Sequence, residues 1–274
     1  MEIIKYSNQN LSQFTKISSA LERFLPDVNE EKARKFWDSL TADWKIIFWI
    51  NYEYSIMFSQ AQNLKSISGA TNFIISKYTE RCRKFFVLDE KNITSEVLKK
   101  IMSMEILDAS LAYIVSCAPI AYLAKLKYID LSVNNISDIT PLAGMKNIVK
   151  IDINSNFDFQ DSESVLQTLP NLEILWIYNT KISPETLYSL PALKTMVIDL
   201  EQANRIDFNL LPKLKNLVIT SEIYEEDFSN RQFRFLENIL FDCEILDEVP
   251  LMLKKENPQL KIFTEPYEQY FPYY

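Results

Sequence analysis

Residues 126–148 read LKYIDLSVNNISDITPLAGMKNI. Leu126, Ile129 and Leu131 are spaced L-x-x-I-x-L, Asn134 and Ile136 follow as x-x-N-x-I, and Pro141 lies on the way back to Ile148. Ile129 and Leu131, two apart, put two apolar side chains on one face of a short strand. The spacing restarts at Ile148, 22 residues on. A unit of that length holds one strand and a return segment, and it cannot bury an apolar face alone. The stretch therefore predicts a stack of such units.

Extending the pattern outward gives first-position residues Ile101, Leu126, Ile148, Leu172, Leu193, Leu214, Leu236 and Leu260, in steps of 25, 22, 24, 21, 21, 22 and 24. The fourth position reads Met104, Ile129, Ile151, Leu175, Met196, Leu217, Ile239 and Phe263. The sixth reads Ile106, Leu131, Ile153, Ile177, Ile198, Ile219 and Phe241. The ninth keeps asparagine only at Asn134 and Asn156; elsewhere it is Ala109, Thr180, Glu201, Glu222 and Glu244. Its loss predicts irregular later turns.

Over residues 101–263 this pattern resembles the leucine-rich repeat, and ISDITPLAGM is similar to the bacterial 22-residue (internalin/SDS22-like) type. The resemblance implies an α/β fold: a right-handed solenoid with a parallel sheet on its concave face, used for recognising proteins. Fold alone does not assign a function.

Residues 1–95 read as a helical domain capping the array, and 96–274 as the repeat domain with an aromatic cap. Leu11, Phe14, Ile17, Leu21 and Phe24 form one helical stripe ended by Pro26. Asn29 opens a second helix through Ala33, Phe36, Trp37 and Leu40, and Thr41 a third, apolar nearly all round at Ile46–Ile50. Thr94 caps a short helix leading to Ile101. Tyr267, Tyr270, Phe271, Tyr273 and Tyr274 are read as a cap on the last repeat, with a partner-binding tail as the alternative.

Composition narrows function. A net charge of -8 lacks the basic footprint of a nucleic-acid binder and disfavours an anionic membrane surface. The chain has no histidine, which removes His-based triads and metal sites, and two glycines, which write no phosphate-binding loop. Cys82, Cys117 and Cys243 are scattered, as in a reducing compartment. The start MEIIKYSNQN has no signal-peptide character, so the expectation is cytoplasmic. Clustered carboxylates at Glu225, Glu226 and Asp227, at Asp158 and Asp161, and at Glu201 read as solvated loop charge. The basic group Lys77, Arg81, Arg83 and Lys84 reads as surface, and Cys82 as a structural thiol. No catalytic, cofactor-binding or metal-binding residue is expected, and the chain reads as non-enzymatic. The alternative is an enzyme or regulator with its active site in the helical part and repeats for targeting.

By alternation the third, fifth and seventh positions face outward on the sheet. The fifth column runs Glu105, Asp130, Asp152, Trp176, Val197, Val218, Leu240. It splits into an acidic half and an apolar half. The candidate partner-binding face is Tyr128, Asp130, Asp152, Ile174, Trp176, Tyr178, Val197, Val218 and Leu240. A partner's basic rim would meet Asp130 and Asp152, and an apolar anchor would meet Trp176 and Tyr178, since exposed aromatics on a rigid sheet make interface hot spots. The competing reading is that the chain's own tail, or a second copy, covers Trp176, Val197 and Val218.

Overall fold

A computed structural model of the chain describes residues 30–60, 88–220, 231–242 and 248–264, without the side chains of 54–60. The 11–24 helix, the Asn29 cap, Lys77, Arg81, Arg83 and Lys84, Cys82, Cys243, Glu225–Asp227 and the tail aromatics lie outside these residues.

Three helices lead the described chain: α1 (Glu30–Asp38), α2 (Ala42–Gln60) and α3 (Ser95–Met102). Thr41 Oγ1 accepts from Trp44 N at 3.5 Å and Thr94 Oγ1 from Val97 N at 3.3 Å, so both threonines satisfy orphan amides of the helices they precede. In α2, Ile47, Phe48, Trp49 and Ile50 are all buried, as an all-round apolar helix requires.

Eight strands follow in chain order, every neighbouring pair parallel: β1 (Ile106–Asp108), β2 (Tyr128–Asp130), β3 (Lys150–Asp152), β4 (Ile174–Trp176), β5 (Thr195–Ile198), β6 (Asn216–Ile219), β7 (Asn238–Phe241) and β8 (Lys261–Phe263). This is a leucine-rich repeat solenoid with a helical front part. The register aligns Ile129, Ile151, Leu175, Met196, Leu217 and Ile239 as one inward column, all buried. Each such side chain contributes roughly 1.5–3 kcal/mol of burial before entropy is subtracted.

The terminal rows differ from the sequence reading. In the first, Ile106 pairs with Tyr128 and Leu107 with Ile129, so Leu107 and Ala109 enter the core and the row starts at Met104. Ile101 belongs to α3, whose apolar stripe of Leu98, Ile101 and Met102 runs directly into the strand and blurs the two periods. Glu105 precedes the strand and pairs with Lys127 at 2.8 Å; the acidic fifth-position residue of row one is Asp108. In the last row Ile262 pairs with Ile239 and Phe263 with Leu240, which turns Phe263 to the concave side.

The front part closes the open edge of β1 through Asn51. Its Nδ2 donates to Asp108 O at 2.7 Å and its Oδ1 accepts from Asp108 N at 2.9 Å, completing the backbone pairing that a preceding strand would have supplied. Trp44 Nε1 donates to Ser116 O at 3.2 Å. One apolar core runs from Ala33 to Leu260 through helices and repeats alike.

Turn chemistry changes along the array. Asn134 Oδ1 accepts from the amides of Ala112 and Ile114, and its Nδ2 donates to the carbonyls of Ala109, Leu131 and Ser132. Asn156 does the same work one row on. After β4 the asparagine is replaced by Thr180, which donates to Ile177 O at 2.5 Å, and by Gln202, whose Nε2 reaches Ile177 O at 2.8 Å. Gln202 sits in a short helix α4 (Leu200–Arg205) that an Asp199 capping box opens. The irregular turn expected there is thus a helical one, held from the next row.

Candidate functional site

The concave face begins at the strand ends. Asp108, Asp130 and Asp152 occupy one column in β1 to β3. Each carboxylate closes its own strand by accepting the amide two residues on, at Ser110 (2.9 Å), Ser132 (2.9 Å) and Asn154 (3.1 Å). Ser110 Oγ and Asn154 Nδ2 add 2.7 and 2.6 Å bonds to the same oxygens. The repeated segments LDAS, IDLS and IDIN encode this, and would have placed the first row correctly from sequence.

Burial dominates the electrostatics here. It pushes the Asp130 carboxyl above the usual range and Asp152 well above it, Asp130 adding repulsion to Asp152. Lys150 shares the face; burial lowers its pKa, and the Asp152 and Asp130 charges work against that lowering. Its Nζ lies 4.1 Å from the Trp176 ring centroid, a cation–π contact that bridges the acidic and apolar halves. Burial, and then the negative field of Asp152, Asp130 and Asp242, push the Tyr178 phenol up to about 12.

The sequence-derived candidates separate by exposure. Tyr128 is exposed; Asp130, Ile174, Trp176 and Tyr178 are half-buried; Asp152 is buried. Val197, Val218 and Leu240, expected on an open surface, are 1%, 0% and 0% exposed. They form a second apolar cluster, separate from the main core, with Trp176, Tyr178 and Phe263 packed against it. The alternation placed them on the correct side of the sheet, but it carries no information about what lies above them.

Accessible apolar side chains concentrate instead in the first rows. Ile106 and Tyr128 are exposed and directly paired across β1 and β2. On the other margin of the same strands, Tyr113 is 82%, Val133 44% and Phe157 66% exposed. The ladder continues into this margin, Leu111 N donating to Ser132 O and Val133 N to Asn154 O. Tyr113 and Phe157 hold the tenth position of rows one and three, with Asn135 at that position in row two, and Val133 lies two residues nearer its strand.

The backbone of that margin is strained. Leu111, Val133, Ser155 and Asn179 hold the same position in four successive rows, with φ of 52°, 53°, 52° and 56°. Tyr113 is at 53°. Left-handed backbone costs a non-glycine residue roughly 1–2 kcal/mol, most for a β-branched one such as valine. The chain has only two glycines to relieve it. Such strain tends to gather at sites that have a use for it. This margin was invisible to the repeat pattern, which treats these positions as variable; the one available signal was the aromatic pair Tyr113 and Phe157 at the tenth position of rows one and three.

Elsewhere, Asp161 is structural. It accepts from Val165 N at 2.9 Å and Leu166 N at 3.2 Å, and burial pushes its pKa up to about 7. Asp158 pairs with Lys181, and Glu201 is exposed. Cys117 is a buried free thiol whose pKa burial raises. Among the described residues, no helix is long and apolar enough to cross a membrane.

No family model and no curated protein matches the chain. Among solved structures, an internalin F from Listeria monocytogenes is 25% identical, with a TM-score of 0.41, over 62% of this chain and 49% of its own. Internalin C2 from the same organism is 19% identical, with a TM-score of 0.35, over 62% of this chain and 84% of its own. The chain thus spans about half the length of the first internalin. The fold assignment rests on the parallel sheet and its register.

Proposed function

We propose that this chain is a non-enzymatic protein-recognition module, and that the first three rows of its concave face make the contact. The observation that supports this is a set of exposed apolar side chains: Ile106 and Tyr128 on the paired strands β1 and β2, and Tyr113, Val133 and Phe157 in the turns that follow β1, β2 and β3. Aromatic side chains bring large contact area at low entropic cost, which is what hot spots need. Asp130 and Asp152 lie between these positions in the repeat, and the net charge of -8 favours a partner with basic side chains around an apolar anchor. Trp176 and Tyr178 continue the face into the fourth row. The cellular setting that fits a free buried Cys117 is a reducing one such as the cytoplasm. The partner is a protein rather than a nucleic acid or a membrane.

The test is affinity purification from the source cell with the unaltered protein and a Tyr113→Ala, Phe157→Ala variant side by side, with thermal unfolding of both. A protein that co-purifies with the first and not the second, at equal stability, supports the site. The same proteins on both remove it.

A further inference from the structure

Asn154, two residues beyond Asp152 on the concave side, is 4% exposed. Its Nδ2 donates to Asp152 Oδ1 at 2.6 Å. That bond fixes which end of the amide is which, because a flipped amide would set oxygen against oxygen. Asn154 Oδ1, in the same planar group, is buried with no hydrogen-bond partner among the described residues. A desolvated acceptor left in that state carries a free-energy cost that a donor would remove. The charges nearby lack a donor of the same kind. In the outward positions of β1 to β4, Asp108, Asp130 and Asp152 stand against one cation, Lys150, whose Nζ rests 4.1 Å from the Trp176 ring centroid. The bonds that close β3 both fall on Asp152 Oδ1, and Asp152 Oδ2 takes part in no hydrogen bond among the described residues.

We propose, resting on the partner reading above, that Asp130, Asp152 and Asn154 form a socket for an arginine side chain of the protein partner. Acceptors on adjacent rows, about 4.8 Å apart, suit a flat guanidinium with donors on every edge better than the point charge of an ammonium. Guanidinium is also the more weakly hydrated cation, which fits a socket whose members on β3 and just beyond it, Asp152 and Asn154, are buried while Asp130 is half-buried. Burial favours the protonated form of both carboxyls, and a guanidinium set against them offsets that burial. Tyr128, 40% exposed and two residues before Asp130 on the same face, adds an aromatic ring on which a guanidinium can stack. Among the described residues no cluster of carboxylates is placed to hold a metal ion, so the cation that fits is an organic one.

The test titrates the full chain with N-acetylarginine amide and follows the Asn154 side-chain amide by NMR. N-acetyllysine amide and N-acetylcitrulline amide, the uncharged isostere of the arginine probe, serve as controls. A saturable shift is expected with arginine, several-fold weaker binding with lysine, and no shift with citrulline. Equal responses to the three probes, or none to arginine, overturn the proposal. Asp130→Asn and Asp152→Asn each keep an oxygen to close the strand, and each should weaken arginine binding several-fold at unchanged circular dichroism. An arginine response that survives both substitutions overturns it too, and if either variant fails to fold the arginine–citrulline contrast on the unaltered protein decides. The partner reading fails separately: a protein that co-purifies with the unaltered chain, is lost with Tyr113→Ala, Phe157→Ala and is kept by Asp130→Asn, Asp152→Asn removes the arginine socket and leaves the partner reading standing.

Discussion

The two halves of the concave face share one backbone and one register, but they carry opposite chemistry. From β1 to β3 the fifth position is Asp108, Asp130 and Asp152, each tied down by its own strand end, and apolar side chains stand exposed on β1, on β2 and in the turns that follow. From β5 to β7 the same position is Val197, Val218 and Leu240, shut away in a cluster of their own. Between them Lys150 rests on Trp176. The comparison teaches that the inward columns build the platform and leave the outward columns free to diverge. A solenoid can thus hold an open surface and a closed one a few strand spacings apart.

The largest effect should come from the columns both halves share. Ile151→Asp and Leu175→Asp each bury an unpaired charge and should cost about 4 kcal/mol or unfold the array. Urea unfolding followed by circular dichroism would show it, and an unchanged midpoint would break the register itself.

Next comes pH. The Asp161 pKa is raised to about 7, against roughly 3.9 for an unfolded aspartate. The folded state then binds more protons than the unfolded one between about pH 4 and 7, so stability is greatest at the acid end of that window and falls as pH rises through it. Asp130, Asp152 and Asp242 are shifted in the same direction. Chemical denaturation should give a larger unfolding free energy at pH 5 than at pH 7.5, by on the order of 2–4 kcal/mol. Asp161→Asn should flatten part of that slope.

The turns give a smaller contrast. Asn156 is fully buried and serves four backbone groups, so Asn156→Ala should cost about 3 kcal/mol. Gln202→Ala, at the equivalent task in the later half, should cost about 1–2 kcal/mol, because Thr180 still donates to Ile177 O. Equal losses would show that the helical turn is no sturdier than the asparagine one. The smallest effect is a gain. Val133→Asn, at a left-handed position that Asn179 already fills in row four, should stabilise by about 1 kcal/mol in thermal melts.

Much of this was legible beforehand, for a physical reason. Inward residues such as Ile151 and Leu217 must be apolar in every row, so they repeat and can be counted. The first row is ambiguous in the sequence because helix α3 ends in apolar residues only a few positions before β1 begins, and Ile101 fits either period. The candidate face was harder. Tyr128 and Val218 are both outward by alternation, yet one is exposed and the other closed. That difference depends on what packs above the sheet, which a strand period does not encode. The repeat pattern does not mark Tyr113 and Phe157, because their position has no required character in it.

A single pair of variants measures the contrast most directly: Val218→Asp in the closed half and Phe157→Asp in the open one, compared by urea unfolding. Val218→Asp should lose about 3 kcal/mol or more, as for any charge forced into an apolar site, while Phe157→Asp should stay within about 0.5 kcal/mol of the unaltered protein. Equal losses, or a tolerated aspartate at Val218, would mean that the two halves are not closed and open, and would contradict the division on which the site rests.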